Sequence, residues 1–115
     1  MIAIIDYEMG NIASVYNAFR RVGVNENQLI IARTARDIQQ ARAVVLPGVG
    51  AFGDAMKNLT KAHLIDAILN HSQEGKPLLG ICLGYQLLFE KGEEGETTHG
   101  LGLIGGKVVR FNVNL

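Results

Sequence analysis

Four short runs of unbroken apolar residues divide the first 81 positions: Ile2-Ala3-Ile4-Ile5, Leu29-Ile30-Ile31-Ala32, Ala43-Val44-Val45-Leu46 and Leu78-Leu79-Gly80-Ile81. A strand with one wet face alternates apolar and polar residues, whereas a strand covered on both faces has no need to. Between the runs lie segments with helical spacing. Strands alternating with helices imply right-handed crossovers and therefore an α/β fold: a flavodoxin-like, doubly wound, mainly parallel sheet in one domain, residues 1–115. Ligands in such sheets bind beyond the carboxyl ends of the strands. The loops after Asp6, Leu46 and Ile81 are those ends.

The helices carry their own punctuation. Asn11 is suited to cap a helix running to about Val22, with Ile12, Val15, Tyr16 and Phe19 on one face and Gly23 as its stop. Thr34 precedes a short helix, Ala35 to Ala41, and Asp37 completes a capping-box analogue. Helical segments are expected around Asp54 to Leu59, Leu64 to Ser72 and Leu83 to Lys91, with a last strand at Lys107 to Phe111. The chain is 48% hydrophobic and 19% charged, which suits a folded domain rather than a disordered segment. Eleven basic residues balance eleven acidic ones, so charge argues for neither nucleic acid nor a membrane surface. No apolar run is long enough to span a bilayer, and Met1 to Asp6 reads as a strand without a basic leader. A lone cysteine cannot form an internal disulfide, and the expected compartment is the cytoplasm. Nothing in the sequence calls for a metal or a cofactor.

That cysteine is Cys82, in Gly80-Ile81-Cys82-Leu83-Gly84-Tyr85-Gln86. It falls where an apolar strand gives way to a helical pattern, as a nucleophile does on a tight strand-to-helix turn. Such a turn exposes the thiol and places it near a helix N-terminus that can stabilise a thiolate. The loop Gly48-Val49-Gly50-Ala51-Phe52-Gly53 fits G-x-G-x-x-G. It follows the third strand rather than the first, and the residues around Asp66 lie in a helical pattern, where a ribose-binding acid does not belong. A dinucleotide site is therefore disfavoured. Glycines there serve another use: a bare backbone can turn N–H groups toward a developing oxyanion.

These residues carry a family likeness. Gly80 to Gln86 resembles the nucleophile elbow of class I (triad-type) glutamine amidotransferases. Asp6-Tyr7-Glu8-Met9-Gly10-Asn11, Leu46 to Met56, and Gly100 to Ile104 with Lys107 to Phe111 narrow the likeness to the glutaminase subunits of imidazole glycerol phosphate synthases. The resemblance implies hydrolysis of L-glutamine to glutamate and ammonia. It implies an ammonia-using cyclase partner with a (β/α)₈ barrel, in histidine biosynthesis. By position, Cys82 would be the nucleophile. The backbone amides of Val49, Gly50 and Leu83 would serve the oxyanion, and Gln86 and Glu94 would hold the amino-acid end of glutamine. Gly10 and Asn11 would lie toward the cyclase.

Two departures stand out. The family commonly has Gly where this chain has Glu8. Its catalytic His and Glu lie beyond further strands, and this sequence stops at Leu115. The chain is thus expected to be an N-terminal portion, an incomplete domain inactive by itself and prone to self-association through an uncovered sheet edge. Of its histidines, His63 and His71 lie in or near helices; His99, in Thr97-Thr98-His99-Gly100, is the best local base, though the family places none there. Two alternatives stay open. One is a glutaminase that supplies another synthase, such as one amidating a sugar. The other is a flavodoxin-like binding module without the chemistry.

Overall fold

The structure is a computed structural model that describes residues 1–111. Four parallel strands form the main sheet: β1 (Ile2–Ile5), β2 (Leu29–Ala32), β3 (Ala43–Leu46) and β4 (Leu78–Gly80), in the order β2-β1-β3-β4. Each matches one of the apolar runs. Chain order reverses direction between β1 and β3, the position at which a doubly wound sheet opens a crevice for ligands.

The unbroken apolar runs are explained by burial on both faces. On one face Ala3, Ile5, Val44 and Leu46 pack against Ile38 of α2 (Ala35–Gln40), Ala55, Met56 and Leu59 of α3 (Phe52–Lys61), and Ala67 and Ile68 of α4 (Ile65–Gln73). On the other, Ile4 and Val45 meet Ile12, Val15, Tyr16 and Phe19 of α1 (Ile12–Arg21). That second face is thinly covered. None of the α1 side chains is fully buried, and Leu79 of the edge strand β4 is 52% exposed.

The caps behave as their chemistry requires. The Asn11 side chain accepts from the Ser14 N–H, and Thr34 accepts from the Asp37 N–H while Asp37 reaches back to the Thr34 N–H. The Arg33 backbone N–H, with help from Thr34, holds the Asp37 carboxyl below its ordinary value. His71 is a polar side chain buried in α4. Its Nε2 lies 2.8 Å from the Pro77 carbonyl, pinning the start of β4.

Two expectations fail after the elbow. The helix expected from Leu83 to Lys91 is a single turn, α5 (Leu83–Gln86), and the chain then enters β5 (Phe89–Gly92). In a continued helix the carbonyls of residues 87–90 would accept from residues 91–94. Here they accept from a distant segment: Leu101 N–H to Leu87, Leu103 and Ile104 to Leu88, Gly102 to Phe89, and Gly100 to Glu90, at 2.8–3.1 Å. The last strand, expected at Lys107 to Phe111, is β7 (Ile104–Val108). With β6 (Thr98–His99) these form a second sheet, β6-β5-β7, antiparallel on one side of β5 and parallel on the other.

Candidate active site

Cys82 joins β4 to α5 with φ 54° and ψ −121°, a backbone conformation that side-chain-bearing residues seldom adopt. The turn is held by close backbone hydrogen bonding. Ile81 N–H donates to Leu46 O at 3.0 Å, Gly84 N–H to Ile81 O at 3.0 Å, and Tyr85 N–H to Cys82 O at 3.0 Å. Gly84 is required by packing: a Cβ there would fall on the Leu46 carbonyl. The thiol is free and exposed. A helix of four residues sums few peptide dipoles, so the expected help from a helix N-terminus is small.

The loop after β3 lies against this turn. The Leu83 N–H donates to the Gly48 carbonyl at 3.2 Å. One of the three expected oxyanion donors is therefore engaged by the loop itself, and it can meet a substrate oxygen only after that carbonyl turns aside. Val49 is exposed, and Gly50 holds a positive φ of 107°. Gln86 sits one turn after Cys82, its N–H on the Cys82 carbonyl. Glu94 lies on the loop between β5 and β6. With Ala51, Phe52, Lys57, Lys61 and His99 it lines a cleft of about 840 Å³ that starts where the Val49–Gly50 loop enters α3. Leu83, next to Cys82, is thus tied to Gly48, which Val49 and Gly50 follow, and Glu94 lines a cleft with Ala51 at the far end of that loop. Cys82 itself is on the open surface rather than among the residues lining that cleft. His99 lines the cleft but makes no hydrogen bond to Cys82 among the described residues. Tyr85 packs edge-on against Phe89, ring centroids 5.3 Å apart.

The loop after β1 packs against the Pro47–Gly48 segment. Asp6 braces it: one carboxylate oxygen accepts from Glu8 N–H at 3.2 Å, and the other meets Arg33 Nε at 3.0 Å. Gly10 stacks on Gly48, where a Cβ would come 3.3 Å from the Gly48 nitrogen. Asn11 caps α1. Two residues without an expected role also stand here. Tyr7, only 3% exposed, donates its hydroxyl to the Pro47 carbonyl at 2.6 Å, and Asn58 of α3 donates to the Tyr7 carbonyl at 3.0 Å. Burial pushes the Tyr7 phenol above its ordinary value, so it stays a donor at neutral pH. A tyrosine directly after a buried strand was the available signal; its partner forty residues away was not readable.

Glu8 adopts φ 67°, a left-handed conformation that favours glycine. Its exposed side chain leaves only the backbone cost. Glu8→Gly is expected to raise stability by about 0.5 kcal/mol, strain relief outweighing the added freedom of the unfolded chain. A thermal midpoint unchanged or lowered in Glu8→Gly would contradict this.

A parallel α/β sheet with a cysteine on a strained strand-to-helix turn beside a glycine loop is the architecture of a triad-type glutamine amidotransferase. The sequence profile of the CobB/CobQ-like glutamine amidotransferase domain matches residues 2–112, and the chain belongs to that family. It is 51% identical over 114 residues to the imidazole glycerol phosphate synthase subunit HisH of Sulfurimonas denitrificans, covering 99% of this chain and 54% of that protein. The HisH subunits of Lactococcus lactis and Bacillus subtilis are 50% and 51% identical, over 98% and 96% of this chain and 54% and 51% of theirs. The chain thus spans about half the length of the curated relatives it matches. A crystal structure of a glutamine amidotransferase superposes with a TM-score of 0.78 at 20% identity, over 96% of this chain and 57% of that one, which supports the fold alone. Among the described residues no helix is long and apolar enough to cross a membrane, and no cluster of three or more His, Cys, Asp or Glu is placed to hold a metal ion.

Proposed function

We propose that this chain is the nucleophile-bearing portion of a cytoplasmic glutaminase that hydrolyses L-glutamine and passes ammonia to a cyclase with a (β/α)₈ barrel, in imidazole glycerol phosphate synthesis. The observation that carries the reading is Cys82 at φ 54° on the elbow, bordered by the Gly48–Gly50 loop, in a chain about half identical to HisH subunits.

In this reading Sγ of Cys82 adds to the side-chain amide carbon of glutamine. The carbonyl oxygen becomes an oxyanion, met by the Val49 and Gly50 N–H groups and by Leu83 N–H once it leaves Gly48. Collapse breaks the C–N bond, and the nitrogen leaves as ammonia carrying the proton that the thiol gave up. Water then cleaves the thioester to glutamate and restores the thiol. Gln86 and Glu94 hold the ammonium and carboxylate end. Gly10 and Asn11 lie on the partner side, beside the loop through which ammonia would leave. No cofactor enters any step.

A base must move the thiol proton, and no histidine hydrogen-bonds Cys82 among the described residues. Losing one member of a catalytic triad costs orders of magnitude in rate. These 115 residues alone are therefore expected to turn over little glutamine; turnover abolished by Cys82→Ala would overturn this. Pocket formation is tested by labelling. Cys82 should react faster with 6-diazo-5-oxo-L-norleucine, which carries the glutamine amino-acid end, than its reactivity toward methyl methanethiosulfonate accounts for. Equal relative rates at Cys82 and at the cysteine of an unstructured peptide would favour the non-catalytic binding module.

A further inference from the structure

Tyr7 is buried, uncharged and outside every role assigned above, yet it makes one of the shortest hydrogen bonds in the domain. Its hydroxyl donates 2.6 Å to the carbonyl of Pro47, the residue that opens the Val49–Gly50 loop. That hydroxyl occupies the space beside Gly48, lying 2.5 Å from where a Gly48 Cβ would stand. Gly48 in turn accepts the Leu83 N–H of the nucleophile elbow. From the other side Asn58, on the helix that follows the loop, grips the Tyr7 carbonyl at 3.0 Å. The loop after β3 is thus held by the Tyr7 phenol, α3 by the Tyr7 backbone carbonyl, and the elbow by Gly48 of that same loop.

A buried carbonyl without a donor is costly, and a glycine-rich loop has little else to fix its peptide planes. The Pro47 carbonyl belongs to the peptide whose nitrogen is Gly48. Fixing it fixes the direction from which Gly48, Val49 and Gly50 proceed. Met9, two residues on from Tyr7, lies 3.1 Å from where a Gly50 Cβ would stand, so the same loop contacts both ends of the glycine segment.

We propose that Tyr7 is a positioning residue: its hydroxyl sets the Pro47–Gly50 loop against the Cys82 elbow, with Asn58 holding Tyr7 in place. This rests on the glutaminase reading for its consequence in catalysis, but the mechanical link itself does not.

The test compares Tyr7→Phe with the parent chain by residue-resolved amide hydrogen exchange. Loss of the hydroxyl should raise exchange at Leu83, whose N–H is held by the Gly48 carbonyl, by about five-fold, while Ile4 and Val45 in the strands stay unchanged. Labelling gives the second readout. The carbonyl of 6-diazo-5-oxo-L-norleucine stands where the glutamine amide carbonyl would, so its reaction draws on the loop donors. Methyl methanethiosulfonate has no carbonyl and does not. Tyr7→Phe should slow the first about five-fold and leave the second unchanged. Exchange that is unaltered at Leu83, or that rises evenly through the strands, overturns the positioning role. A local rise in exchange with analogue labelling unaltered overturns its bearing on catalysis. A parent chain with no preference for the analogue overturns the glutaminase reading, and the exchange result still decides the link. If Tyr7→Phe does not fold, Asn58→Ala is the second variant; it should raise exchange at the same Leu83 amide, and a chain unaffected there overturns the proposal.

Discussion

Gly84→Ala is expected to destabilise the domain by about 3 kcal/mol, because its methyl group would fall on the Leu46 carbonyl with the Pro47 carbonyl carbon 3.1 Å away. No side chain can rotate to make room: both surfaces are backbone. The elbow would have to separate from the end of β3, breaking the Ile81 N–H to Leu46 O bond that holds it. The measurement is a urea midpoint at constant slope. Gly95 provides the control, since a Cβ there meets nothing within 4 Å, and Gly95→Ala should stay within about 0.5 kcal/mol of the parent. Equal midpoints for the two variants would show that the elbow is not packed against β3 as described.

Cys82→Gly is expected to abolish labelling by the glutamine analogue and, at the same time, to stabilise the fold by about 1 kcal/mol. Cysteine at φ 54° and ψ −121° carries backbone strain of about 1–3 kcal/mol, which glycine removes, offset in part by the greater freedom glycine gives the unfolded chain. Cys82→Ala separates the two effects. It too should lose all labelling, but it keeps the strain and should stay within about 0.5 kcal/mol of the parent. A Cys82→Gly chain less stable than Cys82→Ala would mean that the turn stores no strain. Strain retained at a position with no packing role is what a site shaped by chemistry predicts.

Much of this was legible in the residues. The four apolar runs became the four parallel strands almost residue for residue, since a strand buried on both faces has no other pattern to show. Asn11 and Thr34 capped the helices they preceded, because a cap is a local hydrogen bond set by its own residue type. Cys82 stood on the elbow, since Gly80 and Gly84, free of a Cβ, let the backbone pack closely enough to turn there. The readings failed where partners are remote. Leu83 to Lys91 has helical character, but carbonyls 87–90 are claimed by residues 100–104, and propensity yields to those bonds. The last strand shifted toward Ile104 for the same reason, its register being set by β5 rather than by its own sequence.

The site divides along the same line. The sequence by itself determined the elements on which the proposed chemistry rests: one thiol, a glycine loop after the third strand, and an order of motifs that placed the chain in its family. These are properties of residue type and short spacing. Only the tertiary structure decided that Leu83 N–H is already engaged by Gly48, that Glu94 lines a cleft with Ala51 at the end of the glycine loop, and that Tyr7 and Asn58 tie that loop to β1 and α3. Each of those joins segments more than thirty residues apart, and the carbonyls that Leu83, Tyr7 and Asn58 address are groups every residue carries, so the pairings leave no mark in the sequence.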